Sequence, residues 1–150
     1  MQNVTRRHSF IIAAAMGLGA LAPRAARAAA ETGIDDMIAK IAKGRRPGRS
    51  AVTLDLPEIA ENGNSVPITV KVTSPMTEQL YVARIVIIAE ANPTPTAATF
   101  SLTPLSGRAE VSTRIRLAQT QTVSAIAEMS DGSIEMDKKT VKVTAGGCGG

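Results

Sequence analysis

The sequence predicts a β-sandwich preceded by a single helix, and three observations predict it. From Ser50 onward, apolar residues recur at every second position. The turn signals ENGN, NPTP, LSG and SDGS fall between these runs. Only one stretch, ahead of all of them, carries a helical apolar stripe. Six or seven short strands with this punctuation argue for two packed sheets. Alternating βαβ units are excluded, because no amphipathic helix separates the strands.

The helix is expected over residues 33–43, within ETGIDDMIAKIAKGRRPG. Thr32 supplies an N-cap oxygen, while Asp35 and Asp36 in the first turn and Lys40 and Lys43 near the end oppose the helix dipole. Ile34, Met37, Ile38 and Ile41 form one stripe, and Gly44 and Pro47 stop the helix. RRPGR then reads as a solvated linker, with a partner-docking patch as the alternative.

Among the strands, Val52, Leu54 and Leu56 share one face, as do Val66, Ile68, Val70 and Val72. IVII, within LYVARIVIIAEANPTP, is apolar on both sides and requires cover on both. A short strand runs through Phe100 and Leu102. Val111, Ile115 and Leu117, then Val123, Ala125 and Ala127, and finally Val141 and Val143 complete the set. Gly63, Gly107 and Gly132 are expected as turn residues. With two phenylalanines, one tyrosine and no tryptophan, the core is thin. The cover over IVII is therefore expected to come from Ile34 to Ile41 or from another subunit, with a partner subunit favoured for part of it.

Residues 1–30 stand apart from this domain, which occupies 31–143. Arg6 and Arg7 precede the uncharged run IIAAAMGLGALA, followed by PRAARAAAE, and this is the layout of an export signal. The arginine pair points to the twin-arginine route. A membrane anchor is the alternative, but Ile11 to Ala22 is only 12 residues, against roughly 20 for a spanning helix. Cleavage is expected after Ala28 or Ala30. Residues 31–150 hold 13 Lys/Arg and 13 Asp/Glu, so 13 − 13 leaves no net charge. The basic balance of the whole sequence comes from Arg6, Arg7, Arg24 and Arg27, and the domain lacks the positive excess that nucleic acid binding requires.

Conventional catalysis is hard to assemble. The only histidine, His8, lies in the expected signal. That removes Ser-His-Asp and Cys-His arrangements and histidine-bearing metal sites. No phosphate-binding glycine loop is present. Asp131, Glu135 and Asp137 are read as a solvated turn rather than a calcium site, because the EF-hand spacing is absent.

The one cysteine, Cys148, sits in AGGCGG. Glycine tolerates nearly any backbone dihedral, so Gly146, Gly147, Gly149 and Gly150 are expected to give residues 144–150 the freedom of a flexible arm. Extended from Thr144, such an arm places the thiol about 16 Å from the sheet at roughly 3.3 Å per residue. No Lys, Arg or His lies in the last eight residues to depress the thiol pKa. A thin uncharged tether bearing a thiol suits a group carried between other enzymes' active sites.

The terminal GGCGG, residues 146–150, resembles the hallmark of the SoxY family, the sulfur-carrying subunits of bacterial thiosulfate oxidation. VSTRIRLAQTQTVSAIAEMSDGS (111–133), IAEANPTPTAATFSLTP (88–104), LPEIAENGNSVPITVKV (56–72) and the arginine-pair leader carry the same likeness. The resemblance implies an immunoglobulin-like sandwich that pairs with a SoxZ-like small β subunit. It implies a periplasmic, non-catalytic carrier without cofactor or metal, not inserted in the membrane after cleavage, with Cys148 as the attachment point. A c-type cytochrome enzyme would couple thiosulfate to that thiol, and a dimanganese hydrolase would release sulfate. Where present, a sulfur dehydrogenase would oxidise the remaining sulfane sulfur. The competing readings are an envelope adaptor using Cys148 only for an intersubunit disulfide, a thiocarboxylate donor acting through the terminal Gly-Gly, and a thiol oxidoreductase. The export signal opposes the second, and the lack of a second cysteine opposes the third.

Overall fold

A computed structural model describes residues 33–146. The expected leader and residues 147–150 lie outside the described residues. The described residues are mainly β, with one short α-helix, α1, over residues 33–41 ahead of the strands. The strands are β1 (Val52–Asp55), β2 (Ile59–Ala60), β3 (Val66–Val72), β4 (Val82–Ala89), β5 (Thr96–Ser101), β6 (Ala109–Ile115), β7 (Gln121–Met129) and β8 (Ile134–Val143). One sheet has the order β1-β3-β6 and the other β2-β8-β7-β4-β5. Neighbours are antiparallel except β2 and β8, which run parallel.

The period-two pattern decides which side chains meet. Val66, Ile68, Val70 and Val72 of β3 share a buried cluster with Ile85 and Ile87 of β4 and with Val123, Ala125 and Ala127 of β7. Both sheets thus contribute to one core, and Phe100 and Leu102 close its edge.

The alternate residues of β4 and β7 meet α1. Val86, Ile88, Ile126, Ile134 and Met136 are buried with Ile34 and Ala42, and Met37, Ile38 and Ile41 pack against them. The cover over IVII is therefore supplied by this chain's own helix, and the favoured reading of a partner subunit over Val86 and Ile88 is corrected. The helical stripe matches the outer face of β4, β7 and β8, which buries both apolar surfaces without a second chain.

RRPGR keeps Arg45, Arg46 and Arg49 exposed, as expected of a solvated linker, but its backbone docks on β8. Gly48 donates its N–H to the Ile134 carbonyl at 2.8 Å and accepts from the Met136 N–H at 2.8 Å. The Arg45 guanidinium donates to the Gly132 carbonyl. Gly107 and Gly132 hold positive φ of 73° and 82°, as their turns require.

The carboxylates of β8 form no solvated cluster. Glu135, Asp137 and Lys139 sit opposite Ala127, Ala125 and Val123, so they point towards the three-stranded sheet. There they satisfy the open backbone edge of β1. Ser50 and Ala51 N–H donate to Glu135 at 3.2 and 3.3 Å, and Leu54 N–H donates to Asp137 at 3.0 Å. The Lys139 ammonium donates to the Leu56 carbonyl at 2.8 Å. Inward-pointing charges protect this edge from pairing with another chain. Asp131 instead closes its own turn, accepting from the Ser133 N–H and hydroxyl.

One ion-pair cluster fastens α1 to the sheet. Glu128 accepts from Lys43, in the turn after the helix, and from Arg84 of β4 at 2.7 Å. The hydrogen bond from Lys43, with Arg84 beside it, holds the Glu128 carboxyl below the ordinary value of 4.5. A depressed folded-state pKa contributes stability above the unfolded pKa that is lost as pH falls through the folded one. Thermal melts should therefore show Glu128→Gln costing about 1 kcal/mol at neutral pH, since Lys43 is largely exposed. The gap between parent and variant should close as pH falls below 4.5.

Candidate functional site

The end of the two sheets from which β8 departs is built by three loops. They are the β2–β3 turn around Gly63, the β4–β5 loop at Asn92 and the β6–β7 turn from Arg116 to Thr120. The described chain reaches Gly146, two residues short of Cys148. No sequence signal other than the turn residues marks these loops as a unit.

Beyond β8 the backbone does not leave the body at once. Thr120 brackets Val143, accepting its N–H at 2.9 Å and donating its hydroxyl to the Val143 carbonyl at 3.4 Å. Thr144 donates its N–H to the Ala60 carbonyl at 3.0 Å and its hydroxyl to the Glu61 carbonyl at 3.1 Å. The Ala145 carbonyl accepts the Gly63 N–H at 2.7 Å, while the Gly63 carbonyl accepts the Leu117 N–H at 2.8 Å. Gly63 is buried, has no positive φ, and joins two loops through its own backbone. The expectation that Thr144 begins a free arm is therefore revised: Thr144 and Ala145 belong to the body.

Gly146, assigned by sequence to flexibility, has a steric task as well. A Cβ built on it collides with the Ala118 carbonyl oxygen. Beneath that carbonyl lies a polar network. Asn92 Oδ1 accepts from the Ala118 N–H and from Gln121 Nε2, each at 2.9 Å, and Asn92 Nδ2 donates to the Arg116 carbonyl at 2.8 Å. Gln121 Oε1 accepts the Ala91 N–H at 2.8 Å. Gln121 is 5% exposed, and no buried side-chain polar atom among the described residues lacks a partner. Gln121→Ala leaves the Ala91 N–H unpaired and takes one of two donors from Asn92 Oδ1, and should lower stability by about 2 kcal/mol in chemical denaturation.

Among the described residues no group of His, Cys, Asp and Glu could hold a metal ion, and no helix is long and apolar enough to cross a membrane.

The family model for "Sulfur oxidation protein SoxY" matches residues 38–148, so the match runs from α1 to the cysteine itself. The chain belongs to the SoxY family. The structure of the sulfur carrier protein SoxY from Chlorobium limicola f thiosulfatophilum is 34% identical. The likeness covers 76% of this chain and 98% of that one, with a TM-score of 0.61. Superoxide reductase (neelaredoxin) from Ignicoccus hospitalis is 16% identical over 63% of this chain and 80% of that one, with a TM-score of 0.55. A putative superoxide reductase from Thermotoga maritima is also 16% identical, over 61% of this chain and 84% of that one, at a TM-score of 0.51. At such identity the likeness to the reductases is one of fold alone. No curated protein matches the chain. SoxY-family proteins are non-catalytic carrier subunits, typically periplasmic, that generally partner with SoxZ-type subunits.

Proposed function

We propose that this protein carries sulfur intermediates of thiosulfate oxidation on the Cys148 thiol and presents them to partner enzymes. The observation that carries the reading is the Gly-flanked lone cysteine of AGGCGG, to which the SoxY family match extends. Thiosulfate joins the thiol through a new S–S bond, giving cysteine S-thiosulfonate. The thiol proton is released, and an electron pair passes to a c-type cytochrome partner. Hydrolysis by a dimanganese partner then cleaves the bond between sulfane sulfur and the sulfonate. Water supplies the oxygen, sulfate and a proton leave, and a persulfide remains on Cys148. Where a sulfur dehydrogenase is present, it passes electrons from that persulfide to its own acceptor while water supplies oxygen, giving cysteine S-sulfonate, and a second hydrolysis releases sulfate and a proton and restores the thiol.

The domain plan belongs to the same proposal. Residues 1–30 act as a cleaved twin-arginine-type signal that delivers the protein to the periplasm without membrane insertion. Residues 31–143 form an immunoglobulin-like carrier domain that pairs with a SoxZ-like subunit. The arm bearing Gly146, Gly147, Cys148, Gly149 and Gly150 serves the partner enzymes. Glycines on both sides of Cys148 let it enter clefts too narrow for a chain with β-carbons. The zero net charge of 31–150 leaves no basis for nucleic acid binding.

Intact mass spectra of protein purified from its own periplasm without reductant, with and without thiosulfate, test the reading. Reductant-labile additions of sulfane sulfur or thiosulfonate should map to Cys148. A bare thiol or only a symmetric disulfide under both conditions would overturn carriage in favour of a structural disulfide.

A further inference from the structure

We infer that the Thr120 bracket and the Asn92–Gln121 network form a seat that fixes where the carrier arm leaves the body and limits how far Cys148 travels. The inference rests on the carrier reading for its purpose, but its geometry stands on the described residues alone.

Thr120 holds both backbone groups of Val143. Thr144 and Ala145 are bound by Ala60, Glu61 and Gly63. Gly146 lies so close to the Ala118 carbonyl that no side chain fits. Ala118 itself is held through its N–H by Asn92, and Asn92 is held by the buried Gln121. Four consecutive residues, Val143 to Gly146, are thus constrained by the β2 end with its turn and by the β6–β7 turn, the latter backed by the Asn92 loop. A tether needing only flexibility requires none of these contacts.

From Ala145 to Cys148 the covalent chain spans at most about 10 Å. That length limits how far the thiol can lie from Ala145, which is bound at the end of the two sheets where the Gly63, Asn92 and Arg116–Thr120 loops meet. Any enzyme that loads or unloads it must bring its reactive centre to that end and rest against those loops. Thr120, Asn92 and Gln121 are positioning residues in this sense and touch no substrate.

Releasing the seat roughly doubles the tether between the last hydrogen-bonded residue and Cys148, from about three residues to about six, and local concentration falls as about the −3/2 power of length, or about threefold. Thr120→Val removes the bracket while keeping side-chain shape, and Gly146→Ala pushes the root off Ala118. The probe is a nitroxide on Cys148, the sole cysteine, with amide broadening read by NMR across the full protein. In the parent, broadening should be confined to the three loops. In both variants it should spread along β8 and β2. Unlabelled variants in complex with the partner subunit should need about threefold more carrier for half-maximal loading by the cytochrome enzyme, at unchanged maximal rate. Melting temperatures within a few degrees of the parent would separate this from unfolding.

Broadening that already spreads over the parent body, or loading unchanged in both variants, would overturn the seat. Loading that persists in Cys148→Ala would instead overturn the carrier reading, and the nitroxide result would still decide the seat.

Discussion

Cys148→Ser is expected to fold, melt and bind the partner subunit as the parent does, and to carry no sulfur at all. The serine hydroxyl differs from the thiol by one atom, and Val143 to Gly146 are fixed by contacts that exclude residue 148. Stability should therefore shift by less than about 0.5 kcal/mol, as for substitutions away from packed or bonded positions. Chemistry should fail outright. Thiosulfate attachment requires an S–S bond, and an alkoxide oxygen neither forms it nor accepts sulfane sulfur reversibly. Mass spectra after incubation with thiosulfate and the oxidising partner should show no adduct, and thiosulfate-dependent reduction of the cytochrome should vanish. Surviving thiosulfate oxidation in the serine variant would end the carrier reading. Loss of partner binding would show that residue 148 has a structural duty as well.

Much of the fold was legible because a two-residue period is a local property. In β3, the burial alternation follows the alternation of Val66, Ile68, Val70 and Val72 with their neighbours. The need for cover on both faces of IVII could be read in the same way. What supplies the cover could not, because the stripe of Ile34, Met37, Ile38 and Ile41 fits any apolar surface. Its target, Ile126 and Met136, lies far along the chain. The same parity held two unread signals. Gln121 stands in step with Val123, Ala125 and Ala127, which places it inward. Glu135, Asp137 and Lys139 stand in step with Val141 and Val143, which marks them as inward charges guarding an edge. Thr120 and Asn92 offered no such pattern. Their roles arise where three loops converge, and loop convergence is not encoded in spacing.

Ile88→Ala should be among the most damaging of the simple core truncations on the helix side, at about 3 kcal/mol. Ile88 is fully buried, on the face of β4 opposite the inter-sheet core, among Val86, Ile126 and the residues of α1. Truncation removes buried methyl groups and leaves a cavity between a helix and a sheet. The ion pairs of Glu128 with Lys43 and Arg84 oppose collapse of that gap. Set against the roughly 5–15 kcal/mol available to a small domain, the loss is a large fraction of the total. Its size should not depend on the partner subunit, since α1 alone covers the site. Denaturant titrations of parent and variant, each with and without the SoxZ-type subunit, separate the possibilities. An equal decrement in both states is the expected result. A decrement that appears only in the complex would mean that the partner, and not the helix, completes this layer. The thin aromatic-poor core would then be stabilised from outside, contrary to the packing of Ile34, Ile38 and Ile41 on the sheet.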